Sequence, residues 1–193
     1  MKRLRVLAVL ALTACGPAKP AATEAPTDTA VDPAAAEKAK LAAVQAEQKT
    51  AFEAVKDDPA KVDELADKGN GFALYQRGQE RLKAKEYYAQ QGGFEDLEAA
   101  ADAGNALAQI WVGQHMAYGL DGYPLKPNSG LMMLEKAANQ DNIEAILAVG
   151  LMYEQDTFMH DLAKAKTWYE KGAALGSDKA KDALAKLGTQ QDF

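Results

Sequence analysis

Few side chains in this 193-residue chain carry intrinsic chemistry. It has one cysteine, Cys15, and two histidines, His115 and His160. A thiolate is a nucleophile or metal ligand, and an imidazole is a base or ligand. A zinc or hydrolytic centre needs several such groups together. Neither histidine has a Cys or a tight carboxylate group near it in sequence. Met132, Met133 and Met152 are soft ligands in principle, but their helical spacing points to packing. Trp111 and Trp168 are candidate binding aromatics, and they too are expected to pack. Glu95, Asp96 and Glu98 form an acidic run, as do Asp57 and Asp58; such runs are read as solvated faces. No phosphate loop, Ser-x-x-Lys, Gly-x-Ser-x-Gly or HExxH motif is present. The expectation is a chain that is not an enzyme, with no catalytic residue, no metal and no cofactor.

Cys15 stands at the end of a different pattern. Lys2, Arg3 and Arg5 are followed by the apolar run Val6 to Leu12, then Thr13-Ala14-Cys15. Basic, apolar, then small is the order of an export signal. The run is far short of the roughly 20 residues that a membrane-crossing helix needs. The bland alternative is a buried N-terminal helix, but three cations at its start and a Pro-rich sequel speak against it. Leu12-Thr13-Ala14-Cys15 resembles the lipobox of bacterial lipoproteins. That resemblance implies cleavage before Cys15 and lipidation of Cys15, with Gly16 rather than Asp implying the outer membrane, facing the periplasm. Two or more acyl chains make a lasting anchor, whereas one does not. Residues 1–14 are thus expected to be a signal peptide. Residues 15–33, rich in Pro, Ala and Thr, are expected to be a disordered tether.

The chain has 22 Lys and Arg against 28 Asp and Glu, a formal net charge of −6. Removing Lys2, Arg3 and Arg5 lowers 22 to 19 and the net charge to −9. Such a chain, without a basic cluster, is not expected to bind nucleic acid. Nor has it a polybasic segment for anionic lipid.

The elements that would position any binding residue are legible from a repeat. Ala66-Asp67-Lys68-Gly69-Asn70, Ala101-Asp102-Ala103-Gly104-Asn105, Ala138-Asn139-Gln140-Asp141-Asn142 and Ala173-Ala174-Leu175-Gly176-Ser177 are copies of one motif, spaced 35, 37 and 35 residues apart. That period marks a solenoid of two-helix units. Gly69, Gly104 and Gly176 fit a left-handed helix end, with Asp141 in the same place. Asn70, Asn105, Asn142 and Ser177 fit N-caps. Gly78, Gly113 and Gly150 fall at one register inside the first helix of each unit, and close approach of a neighbouring helix explains them. Gln90-Gln91-Gly92-Gly93 reads as an interruption of the first unit. Residues 34–68 read as two N-terminal helices. The first carries a stripe of Leu41, Val44, Gln48, Phe52 and Val55, and it either caps the solenoid or forms a dimer seam, capping being favoured. The second turns Val62, Leu65 and Ala66 inward. Residues 69–188 would be the solenoid and 189–193 a disordered tail.

Asp161 to Gly176, with Trp168-Tyr169-Glu170-Lys171-Gly172, resembles the second half of a Sel1-like repeat. Ala108 to Gly113 and Ala145 to Tyr153 resemble first halves. A plain tetratricopeptide array is the runner-up; the variable period and the internal glycines favour Sel1-like. Departures from the pattern are Lys126 for Asp, Arg81 and Met116 for Tyr, and Asp96 for Trp. The resemblance implies an all-α, α/α solenoid of about three Sel1-like repeats. It implies a protein or peptide partner bound as by a scaffold or adaptor in the cell envelope. Tyr75, Gln79, Gln114 and Tyr118, on the first helices, are the candidate partner-binding residues. An envelope hydrolase, of β-lactamase or peptidoglycan type, and a structural subunit of an outer-membrane or secretion assembly are the alternatives.

Overall fold

In the computed structural model, residues 32–156 and 159–190 are described; Cys15, the signal and the expected tether up to residue 31 lie outside them, whereas Asp32 caps α1 and Pro33 begins it. The described residues form helices and turns without strands. Two N-terminal helices, α1 (Pro33–Glu53) and α2 (Pro59–Asp67), precede three antiparallel pairs. These pairs are α3 (Gly71–Leu82) with α4 (Tyr87–Asp102), α5 (Ala106–Tyr118) with α6 (Pro127–Ala138), and α7 (Ile143–Gln155) with α8 (Leu162–Ala174). Then α9 (Asp178–Gln190) packs on α8. The first helix of each pair is an A helix and the second a B helix.

The motif repeated in the sequence is the turn from each B helix to the next A helix. At the second copy Gly104 has φ +89°, and the Asn105 N–H donates to the Ala100 carbonyl at 3.0 Å. A left-handed residue lets the chain close its helix and reverse, which is why Gly recurs there. Asn105 Oδ1 then accepts from Ala108 N, capping α5. Asn70 and Asn142 cap α3 and α7 in the same way. Asp141 adopts φ +62° at the third turn, a conformation costing a non-Gly residue about 1–2 kcal/mol.

The glycines inside the A helices are contact points. A Cβ on Gly113 would lie 2.9 Å from Leu134 Cγ and 3.0 Å from the Gly130 carbonyl. A Cβ on Gly78 would meet Leu97 Cγ at 2.9 Å and the Gly93 carbonyl at 3.0 Å. In the third pair the ring of Tyr169 occupies that space above Gly150, at 2.7 Å for Cδ1. This corrects the reading of Gln90 to Gly93 as an interruption. The helix α4 runs through them, because Gly93 is where α4 crosses Gly78, as Gly130 is where α6 crosses Gly113.

The core is shared between units. Val62, Ala66, Leu74, Leu97 and Val112 form one cluster, and Ile110, Leu134, Ile146, Val149, Tyr169 and Leu187 form the next. The helix α5 supplies both from opposite sides. Of the sequence-predicted core methionines, Met152 is buried and Met133 half-buried, but Met132 is 62% exposed, on the outer side of α6.

The helix α1 lies along the row of turns. Its Phe52 stacks on Phe72. The Gln48 carbonyl accepts from Asn70 Nδ2, and Gln48 Oε1 accepts from Gly71 N. Gln45 Nε2 donates to the Gly104 carbonyl, and Lys38 pairs with Asp141 at 2.7 Å. Phe52, Gln45 and Lys38 are seven residues apart, about 10.5 Å of helix rise. Packed helices sit 8–10 Å apart, so seven residues advance α1 by about one repeat. The seam therefore uses Gln45, whereas Val44, expected on the stripe, is 43% exposed.

Candidate interaction surface

Tyr75 and Gln79 lie one turn apart on α3 and line one cleft. Its other walls are Phe72, Leu107 of α5, and Lys49, Phe52 and Glu53 of α1, around a volume of about 440 Å³. Phe52 and Phe72 are 6.2 Å apart between ring centres. Gln79 Nε2 is shielded from solvent and has no hydrogen-bond partner. An unmet buried donor of this kind costs about 1–3 kcal/mol. Burial, and after it the Glu144 carboxylate, pushes the Tyr75 hydroxyl up from its ordinary range.

Gln114 and Tyr118 do not line this cleft. They share a face of α5 with Leu107, at helical spacings of seven and eleven. Tyr118 is exposed and Gln114 half-buried. The corresponding position to Gln114 on α7 is Leu151, which is exposed. The A-helix face thus carries exposed Leu107, Tyr118 and Leu151 beside the cleft. Sequence reading missed Phe52, Phe72 and Leu107 as binding residues. Phe72 and Leu107 hold the same register in successive A helices, and that signal was available.

Two other polar centres are structural. Asp96 is 5% exposed, so the acidic run it belongs to is not a uniformly solvated face. It accepts from Arg77 Nε at 2.9 Å, from Arg77 Nη2 at 2.8 Å and from Arg81 Nη1 at 2.7 Å. Arg77 also reaches Asp67 at 2.6 Å. The Asp96 hydrogen bonds come first in holding Arg77 protonated, well above its ordinary range. Arg81 and Asp96 occupy the positions of Tyr153 and Trp168, so an ion pair stands where the third unit has two aromatic residues.

His115 is buried and stacks on Trp111 at 3.5 Å between ring centres. Its Nδ1 lies 2.7 Å from the Trp111 carbonyl and its Nε2 lies 3.0 Å from Asp121 Oδ2. Phe94 and Tyr123 complete the aromatic cluster. These contacts pin the Gly119–Lys126 loop, where Lys126 N also donates to the Met116 carbonyl. His160 is exposed and is not part of this cluster.

Comparison with solved structures places this architecture. The chain is similar to a Sel1 repeat protein from Oxalobacter formigenes, with 28% identity and a TM-score of 0.60 over 67% of this chain and 98% of that one. It also matches a protective antigen of uropathogenic Escherichia coli strains that displays an SLR fold, at 18% identity and a TM-score of 0.58. That match covers 81% of this chain, which spans about a third (35%) of the antigen. No family model matches the chain, and no curated protein matches it.

Proposed function

We propose that this chain, an α/α solenoid of Sel1-like repeats, is an exported and lipid-anchored interaction scaffold of the cell envelope. Its task is to hold a protein or peptide partner on the A-helix face. The observation that carries this reading is the cleft of Phe52, Phe72, Tyr75, Gln79 and Leu107. Exposed Tyr118 and Leu151 extend the apolar surface beyond it. The aromatic walls suit an apolar side chain of the partner.

The anchor half of the reading comes from the signal pattern and the lone cysteine. Cys15 would carry the lipid, and residues 16–32 would hold the solenoid off the outer membrane on its periplasmic side. Tyr75, Gln79, Gln114 and Tyr118 are the partner-facing side chains.

Crosslinking followed by pull-down of the tagged full-length chain from a membrane fraction tests both halves. The expected result is one dominant envelope protein, reduced by Cys15→Ala and by Tyr75→Ala. A Cys15→Ala chain that still fractionates with membranes refutes the lipid anchor. Loss of no captured species on Tyr75→Ala refutes the cleft as the partner site.

A further inference from the structure

We infer that α1 is a latch: it docks on the turns through separable contacts, completes the partner cleft, and opens that cleft when it undocks. This rests on the cleft being the partner site.

Three observations carry it. First, α1 is 21 residues long and contains no buried residue, whereas each of the helices α2 to α8 has at least two. It is the element whose release exposes least core, which is the physical condition for opening below global unfolding.

Second, the turns carry caps of their own. Asn70 Oδ1 accepts from Phe72 N and Ala73 N, neither of them in α1. Asn105 and Asn142 cap α5 and α7 without α1 atoms. The contacts of α1 are added onto turns that are already capped: Gln48 on the first, Gln45 on the second and Lys38 on the third.

Third, Asp141 occupies a left-handed position where the other three turns have Gly. Glycine would fit that backbone without strain, but it has no carboxylate. The Asp141 carboxylate takes Lys38 of α1 at 2.7 Å and Lys171 of α8 at 3.3 Å. A strained residue is kept where its side chain is needed, and here it ties the N-terminal end of α1 to the third repeat. Lys38, and after it Lys171, hold the Asp141 carboxyl below its ordinary range.

The consequence falls at the other end of the helix. Lys49, Phe52 and Glu53 form the α1 wall of the cleft. Release of α1 about the Ala54–Asp58 segment takes that wall away. Being rich in Ala, Glu, Lys and Gln, α1 keeps helical propensity when undocked. By linkage, a partner that contacts Phe52 tightens α1, and a loosened α1 weakens the partner.

The test is amide hydrogen exchange on the full-length chain in detergent, for wild type, Lys38→Ala and Asp141→Gly. Binding of an apolar fluorescent dye, anilinonaphthalene sulfonate, is read alongside. In wild type, amides of α1 are expected to exchange at least about tenfold faster than those of α5 to α8, as for a sub-global opening. Each variant should speed α1 a further two- to fivefold, about the range for a half-exposed ion pair. In Lys38→Ala the amides of α5 to α8 should stay unchanged, and in both variants dye fluorescence should rise as the cleft opens. Exchange of α1 in step with α5 to α8, or α1 indifferent to both variants, overturns the latch. Faster α1 exchange with unchanged dye binding overturns its control of the cleft. The exchange result does not depend on any partner being captured, so it stands or falls apart from the scaffold reading.

Discussion

Replacing Gly130 by Ala should destabilise the solenoid, although Ala is the better helix former. Gly130 sits in α6 where that helix crosses α5. An added Cβ would lie 2.6 Å from Ala117 N and 2.8 Å from Ala117 Cα. Comfortable carbon contacts are about 3.5–4.0 Å, so the two helices must part by about 1 Å. The obstructing atoms are backbone, and no side chain can rotate away. Overpacking of this kind costs about 1–3 kcal/mol, and the upper end applies where the backbone itself must move. Separation also loosens Leu134, which is fully buried beside Gly113. Helix propensity returns about 1 kcal/mol. The net expected loss is about 2 kcal/mol, or roughly thirtyfold in the folding constant. Gly188 in α9 is the control, since nothing lies within 4 Å of an added Cβ there. Gly188→Ala should gain a few tenths to about 1 kcal/mol. Urea unfolding followed by circular dichroism reads both. A Gly130→Ala chain as stable as its parent would refute the close-crossing account of the internal glycines. Because Gly113 and Gly130 share one crossing, the double variant should cost less than the two singles added together.

Asp96→Ala should cost about 3 kcal/mol, because it leaves Arg77 partly buried with only Asp67 as its carboxylate partner. A drop below about 1 kcal/mol in the same unfolding assay would show the network to be dispensable. Stability should fall at alkaline pH. Burial, then Glu135, raises Tyr153 to about 12, and burial, then Glu154, raises Tyr169 further. Each native state holds its proton above the unfolded value of about 10, so this stability is complete below about pH 10 and is lost as pH rises through 10 towards 12. The slope is about 1.4 kcal/mol per pH unit for each tyrosine, and Tyr153→Phe should flatten it; an unchanged slope would exclude Tyr153. Asp141→Gly should leave the global unfolding free energy within about 1 kcal/mol of wild type. Relief of the left-handed strain offsets two partly exposed ion pairs. A loss above about 2 kcal/mol in urea would mean that α1 and the repeats unfold together.

The turns were legible because each is made locally. A left-handed Gly and an N-capping Asn need only their own neighbours, so the spacing of four short motifs marked the B-to-A reversals. Helix contents followed from the same punctuation. What could not be read locally was the partnering across repeats. Asp96 looks like one acid among three until Arg77 and Arg81, on the facing helix, are seen to surround it. Gly92-Gly93 looks like a break until Gly78 is seen to need Gly93 opposite it. The stripe of α1 holds at Leu41, Gln48, Phe52 and Val55 and fails only at Val44, for a related reason. Apolar spacing selects Val44, but α1 meets the turn backbone at the Gly104 carbonyl, and a Gln serves that surface better. Of the candidate binding residues, Tyr75 and Gln79 come together in the cleft. Gln114 and Tyr118 lie further along the same A-helix face.

The three pairs of helices show why the repeat tolerates so much change. Arg81 with Asp96, Met116 with Met133 and Tyr153 with Trp168 fill the same two positions with an ion pair, two thioethers and two aromatics. In the third pair the Tyr169 ring packs on Gly150, but in the first two the crossing is set elsewhere, by Gly78 with Gly93 and by Gly113 with Gly130. Distance is held by residues with no side chain to vary, which frees neighbouring positions to change chemistry. In the first unit the freed pair became a buried charge network that locks α3 to α4 and, through Arg77 and Asp67, to α2. That is the unit on which α1 ends and in which the cleft opens. A rigid first repeat behind a lightly held α1 is the arrangement in which a latch moves while its frame stays still. The same logic makes Asp96→Ala a second test of the latch. With the frame loosened, α1 and α3 should exchange together rather than α1 alone.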